Sequence, residues 1–473
     1  MYKNNIPDLN RRAFMKRAMA LSAMGAAAPM ALNLAAAGEA AAMDTSDYKA
    51  LVCVFFYGGN DYANTVVPYD TTNYDLYSAL RGGGPGRTRG NIAYGRDELT
   101  PTALTPVVAQ TLTDNLQFAL NPRLTDLTSL FHAGHAAVQL NVGPLVVPTT
   151  KAQFQSNGVP LPPKLFSHND QQSVWQALGS EGATVGWGGR MGDLALSSNT
   201  NSLLTCISGS GNAVFVSGND ALQYQISPDG AIPIWAAKGW AFGSSQVSDT
   251  LRNLITQPRT HVLENEFTRI TQRSMVMEGI VNTALSPVTL TTNFDVDGKP
   301  NGLANQLKIV ARLIGARAAL GSKRQVFFVS MGGFDTHDGL MENHPGLMAG
   351  FNEAINAFYA ATVELGVADK VTTFTASDFG RTLSSNGNGS DHGWGSHHFV
   401  VGGAVKGGRF YGTAPHVSVD TDDQVGQGRL LPSTSVDQMA ATLARWFGMS
   451  TSDLPLILPR INNFATSDLG FMV

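Results

Sequence analysis

The chain has 473 residues, 43% of them hydrophobic and only 14% charged, with 50 glycines and 22 prolines. Those values exclude a small stapled scaffold, a coiled coil and a disordered tail protein, because a chain this long and apolar can bury a sizeable core beneath many tight turns. Net charge is −4, and residues 1–42 carry a net +3 of it, so the remainder stands at −7. That is the wrong sign for a nucleic-acid binder, and no nucleic-acid partner is expected.

In chain order, the first feature is Asn10-Arg11-Arg12-Ala13-Phe14-Met15-Lys16, followed by a weakly apolar run over 18–37 that Gly25 and Pro29 interrupt. It reads as a twin-arginine export signal, with small residues at Ala40-Ala41-Ala42 for cleavage. Alanine and glycine leave the run less apolar than a spanning helix, so no stable membrane anchor is expected. Residues 1–42 are then the signal peptide, and 43–473 a protein delivered to the periplasm or beyond, with the twin-arginine translocase as its partner in export. Such cargo crosses folded, often with its metal already in place. Cys53 and Cys206 are too few for a disulfide framework or a thiolate zinc cluster. Any metal would be held by carboxylates and imidazoles.

Short, nearly unbroken apolar runs predict strands at 50–57, 136–142, 213–216, 325–331 and 371–376, each buried on both faces. Helical periodicity predicts helices over 169–178, 302–320 with Asn301 as cap, 346–365 and 435–447, and a further helix over 246–280. Strand 325–331, helix 346–365 and strand 371–376 form a βαβ unit, which implies parallel strands. The fold class is therefore α/β, a largely parallel sheet with helices on both faces. Glycine-rich turns interrupt it at 81–86 and 384–390, and residues 220–300 read as a cap or insertion.

In open α/β sheets ligands bind beyond the carboxyl ends of the strands. The first strand runs into Gly58-Gly59-Asn60-Asp61 and Asn64, the 325–331 strand into Gly333-Phe334-Asp335-Thr336-His337, and the 371–376 strand into Ser377-Asp378-Phe379-Gly380-Arg381. A polar segment, Asp391-His392-Gly393-Trp394-Gly395-Ser396-His397-His398, lies close enough to fold back over the same edge. Carboxylates and imidazoles on glycine-flanked turns suit a hydrolytic centre holding one or two divalent ions, zinc foremost. Asp335, His337, Asp378 and His392 lead the ligand set, Asp61 joins from the first strand, and His397 or His398 can replace or supplement His392. Each has a plainer reading: Asp61 as a turn cap, Asp378 as a partner of Arg381. Ser167, at a helix start where backbone N–H groups receive anions, is the candidate nucleophile, although Ser167 with Asp170 also resembles a capping box. His168 and Arg381 are further catalytic candidates, and Asn64 and Asp391 are candidates for contacting substrate.

At these residues the sequence resembles the secreted domain-of-unknown-function-1501 family, grouped with the alkaline phosphatase and sulfatase superfamily. The resemblance runs through Gly58-Gly59-Asn60-Asp61, Ser167-His168, Gly186-Trp187 with Arg190, Gly333-Phe334-Asp335-Thr336-His337, Ser377-Asp378-Phe379-Gly380-Arg381-Thr382 and Asp391-His392-Gly393. It implies an alkaline phosphatase-like parallel sheet, a metal held by Asp and His at strand ends, and a nucleophile at a helix start. The superfamily often has His directly after the Asp that falls at Asp378, where this chain has Phe379, a departure that favours one metal or an altered second site. No Cys-x-Pro-x-Arg sulfatase signature is present. Two functions are expected to compete: a metal-dependent hydrolase of small phosphate or sulfate esters, and a catalytically inactive extracytoplasmic binding or assembly protein on the same fold.

Overall fold

A computed structural model describes residues 43–83, 91–295 and 301–473. The expected export signal, and residues 84–86 of the glycine-rich turn at 81–86, lie outside the described residues.

Strand β1 (Lys49–Phe56) is buried from Ala50 onward and has a neighbour on each side. The strands Arg324–Met331 and Val371–Ser377 flank it, both parallel, with Val54 opposite Val329 and Thr375. Numbered in chain order, the strands are β1, β2 (Val66–Pro68), β3 (Phe118–Leu120), β4 (Ala136–Gly143), β5 (Cys206–Ser208), β6 (Gln223–Gln225), β7 (Arg324–Met331), β8 (Val371–Ser377), β9 (Ser396–Gly402), β10 (Phe410–Tyr411) and β11 (Thr434–Ser435). Nine of them form one sheet in the order β10-β4-β9-β8-β1-β7-β5-β6, with β11 also on β4, while β2 and β3 pair separately. Only β9 runs against its neighbours β8 and β4; every other pairing in the large sheet is parallel.

Alternation along β1 shows how both faces are covered. Val52, Val54 and Phe56 point into one core with Leu307 and Phe351, from the helices Gly302–Gly315 and Leu340–Glu364. Leu51, Cys53 and Phe55 point into the other with Met191 and Phe447, from Trp187–Ala195 and Val436–Phe447. Period-two side chains thus meet a helical layer above and below, as a parallel sheet requires. The helices used below are α1 (Thr71–Leu80), α2 (His168–Ala177), α3 (Trp187–Ala195), α4 (Ser245–Thr256), α5 (Val262–Leu285), α6 (Gly302–Gly315), α7 (Leu340–Glu364) and α8 (Val436–Phe447).

Several expectations are corrected. The apolar run at 213–216 is a 3-10 turn, Val214–Val216, whose Phe215 packs on Trp187; the neighbouring strands β5 and β6 are too short to show a pattern. Helix α7 starts at Leu340 and carries Pro345 inside it, where a proline normally marks a boundary. The stretch 246–280 forms two helices, α4 and α5, rather than one. The second half of the polar segment 391–398 is the start of β9. Among the described residues no helix is long and apolar enough to cross a membrane.

Candidate metal centre

The parallel strands β1, β7 and β8 end at the same edge, so the turns that follow them lie side by side. Gly58 and Gly59 turn there with φ of 117° and 81°, which side chains other than glycine rarely adopt. A Cβ on Gly58 would fall 2.3 Å from the backbone nitrogen of Asp335. This close approach brings the β7 turn against the β1 turn. Gly58→Ala is therefore expected to push Asp335 off its position and to destabilise the fold by about 1–3 kcal/mol, read from a urea midpoint, with weaker metal binding by calorimetry.

Asp335 is the focus of the cluster. Its Oδ1 lies 3.2 Å from His337 Nε2 and 3.3 Å from His392 Nε2, and its Oδ2 3.4 Å from His168 Nε2. Donor atoms of His168, Asp335 and His392 all lie within 4.8 Å of one another, close enough to share an ion. His337 Nε2 lies a further 2.8 Å from His392 Nε2.

The partners of the other ring nitrogens fix the protons. His392 Nδ1 lies 2.7 Å from the carbonyl of Phe166, which can only accept, so the proton sits on Nδ1. His168 Nδ1 faces Asp378 Oδ2 at 2.7 Å, and His337 Nδ1 faces Asp391 Oδ1 at 3.1 Å. With a proton on Nδ1, the neutral form of each imidazole presents its Nε2 lone pair toward Asp335. Arg381 Nη1, 2.9 Å from Asp335 Oδ1, supplies one positive charge to this cluster, and a bound cation among the Nε2 atoms would offset the remaining repulsion between their lone pairs. Imidazoles oriented by carboxylates and a carbonyl, converging on one carboxylate, are the donor set of a zinc-type site.

Local charges tune these groups. The hydrogen bond to Asp378 raises the His168 pKa despite partial burial. Burial lowers that of His392, and the Phe166 carbonyl offsets part of the effect. Burial alone would raise Asp335, but Arg381, whose Nη1 lies 2.9 Å from Oδ1, holds it below the usual carboxylate range.

Other expected site residues stand elsewhere or act differently. Asp378 is fully buried behind His168; its Oδ2 also accepts from Gln172 at 2.9 Å, and its Oδ1 has no partner. It orients a ligand rather than joining the converging atoms. Asp391 does the same for His337 and accepts from Asn386 at 2.9 Å, with its side chain 34% exposed beside the cluster. Asp61 is not in the cluster: it is 1% exposed, accepts from Arg81 at 2.8 Å and Ser390 at 2.6 Å, and caps its own turn through Asn64 N. Asn64 is buried too, holding the Ile92 carbonyl and accepting from Tyr77, with nothing left for a substrate. Arg381 is buried and engaged by Asp335, the Gly58 carbonyl and the Ser390 carbonyl, so it braces the turns instead of offering a free fork.

His397 and His398 sit inside β9, pointing to opposite faces of the sheet. His397 packs edge-on against Tyr62 and accepts from Asn141 N, and burial lowers its pKa to about 3. His398 packs against Trp175. Strand alternation inside a buried sheet removes both from the rim.

Ser167 is the N-cap residue of α2, but its hydroxyl donates to Asp170 Oδ2 at 3.0 Å and leaves the first N–H groups of the helix uncapped. Phe379 closes the back of the cluster, its ring centroid 4.9 Å from His168 and 4.6 Å from His392. Two contributors escaped the sequence reading. Gln172 was legible in principle, since it lies one turn after His168 on the same helix face. The Phe166 carbonyl was not, because its direction depends on a left-handed backbone, φ 73°, that phenylalanine seldom takes.

No curated protein matches the chain. Among solved structures, it is similar to Ps i-CgsB bound to k-i-k-neocarrahexaose, at 9% identity and TM-score 0.36, covering 88% of this chain and 77% of that one. It is also similar to a putative sulfatase from Bacteroides thetaiotaomicron, at 10% identity and TM-score 0.27, covering 88% and 75%. The alkaline phosphatase of the Antarctic bacterium TAB5 matches at 9% identity and TM-score 0.27, covering 76% and 92%. These likenesses are loose, and none bears on the chemistry of the site. Residues 48–454, which include β1 to β11 and every residue of the cluster, match the family of proteins of unknown function called DUF1501, and the chain belongs to that family.

Proposed function

We propose that the protein is an exported, metal-dependent hydrolase of phosphate or sulfate esters, with a small anionic ester as substrate. The reading is carried by one observation: the Nε2 atoms of His168, His337 and His392 converge on Asp335 with their Nδ1 atoms already committed. These four residues would hold a single divalent ion, zinc by the chemistry of the set, and that ion would supply Lewis-acid polarisation of the ester oxygens. Phe379 fills the flank where a further imidazole would be needed for a second one.

The remaining roles fall to the chain's own groups. Asp378, Asp391 and the Phe166 carbonyl hold the imidazole protons away from the centre. The uncapped N–H groups at the start of α2 receive a negatively charged oxygen of the substrate. Ser167, beside His168, supplies the attacking hydroxyl, and its proton already points to Asp170.

The competing reading, a binding or assembly protein that keeps the ion without turnover, draws on the same Phe379. Metal analysis of protein purified without chelator, with assays on an aryl phosphate and an aryl sulfate, separates the two. Ser167→Ala is expected to lower kcat by about a thousandfold or more while metal content stays unchanged. Bound metal with no turnover of either ester by the wild type would favour the binding protein.

A further inference from the structure

Residues 220–280 carry an apolar surface that the rest of the fold does not cover. Among the described residues, fourteen of the twenty exposed large apolar side chains fall there, including Trp235, Trp240 and Phe242. Exposed large apolar side chains concentrated in one part of a fold mark an interaction surface, whereas singly scattered ones need no explanation.

The pattern on α5 says what fits. Leu263, Phe267, Ile270, Ser274, Met277 and Val281 follow one another at alternating steps of four and three, the spacing of a coiled-coil seam. The seam is covered by the body at Met277 and Val281 but open at Leu263, Phe267 and Ile270, where Phe267 is 66% exposed. Half of one helical stripe is therefore unpartnered. Glu266 and Arg273 lie one heptad apart and flank this seam on the same side; Glu266 also reaches Arg269 at 3.4 Å. In an antiparallel helix pair that flank faces its own counterpart, so Glu266 of one copy meets Arg273 of the other, twice about the twofold axis. A parallel pair would set Glu266 against Thr271, with no charge complement. The charges are self-complementary in one orientation only.

We infer that α5 docks against α5 of a second copy of this chain in an antiparallel pair, making the protein a twofold dimer through residues 262–276. The pair packs Phe267 beside the second copy's Ile270. The inference is independent of the chemistry at the metal centre.

Sedimentation equilibrium of the purified protein across the micromolar range tests it. A reversible dimer is expected. Arg273→Glu and Glu266→Arg, each alone, place like charges opposite one another and should weaken the dimer about tenfold or more, and combining them should restore it. Phe267→Asp should give a monomer with an unchanged far-ultraviolet circular dichroism spectrum. A wild type that stays monomeric, or a dimer indifferent to both charge reversals, would overturn the inference. So would a monomer that pelleted with phosphatidylethanolamine–phosphatidylglycerol vesicles through the same residues, since the occupant would then be a lipid surface.

Discussion

Arg81→Met is expected to destabilise the fold by about 3–5 kcal/mol, which a urea titration followed by tryptophan fluorescence would read directly. Arg81, at the end of α1, is fully buried, and its Nη2 lies 2.8 Å from Asp61 Oδ2, itself 1% exposed. Removing the guanidinium leaves a carboxylate in the interior with only Ser390 and a turn amide to solvate it. Breaking one side of such a pair costs far more than the pair contributes, so Asp61→Leu combined with Arg81→Met should recover much of the loss. The pair also sets an acid limit. Burial alone would raise the Asp61 pKa, but the Arg81 charge overrides it, and the folded value lies below the ordinary 3.8. A depressed carboxylate pKa contributes stability that is complete above the unfolded value and is lost as pH falls through the folded one. Wild-type stability should thus drop below about pH 4 by a component that Asp61→Asn lacks. A variant with the same acid slope as the wild type would show that the carboxylate carries no such charge.

Part of this architecture was legible because physics leaves a mark in local sequence. The central strands read as apolar runs since both faces of a parallel sheet are covered, and the glycine-flanked carboxylates after β1 and β7 marked the rim. Proximity was legible; allegiance was not. Asp61 and Asp335 follow equivalent strands and look alike in sequence, yet Arg81 from a distant helix claims the first, and the imidazoles surround the second. His392 and His397 are five residues apart, but one ends a turn at the rim while the other enters β9, whose alternation sends it into the core. Nothing in the segment itself announces where the strand begins, because glycine and histidine are poor strand markers and the burial comes from β8 and β4 on either side. Asp378 shows a third case: its position at a strand end was read correctly, whereas its role depends on which atom of His168 it touches.

That distinction between ligands and orienting groups yields the second large effect. Zinc titrated into chelator-stripped wild type is expected to bind with one-to-one stoichiometry and to stabilise the fold by about 2.7 kcal/mol at a free concentration a hundredfold above Kd. Asp335→Ala removes the carboxylate on which His168, His337 and His392 converge, and specific binding should be lost along with the stabilisation. Asp391→Asn leaves every converging atom in place but weakens the acceptor that holds the His337 proton on Nδ1, so affinity should fall by about 10–100-fold with stoichiometry intact. His397→Ala provides the contrast. It opens a gap beside Tyr62 in the core and lowers stability, yet it should leave zinc affinity where it was, because that ring faces away from the rim. Calorimetry on the three variants therefore orders the residues by function rather than by stability. Unchanged zinc affinity in Asp335→Ala would place any cation elsewhere, and the hydrolase reading would fall with it.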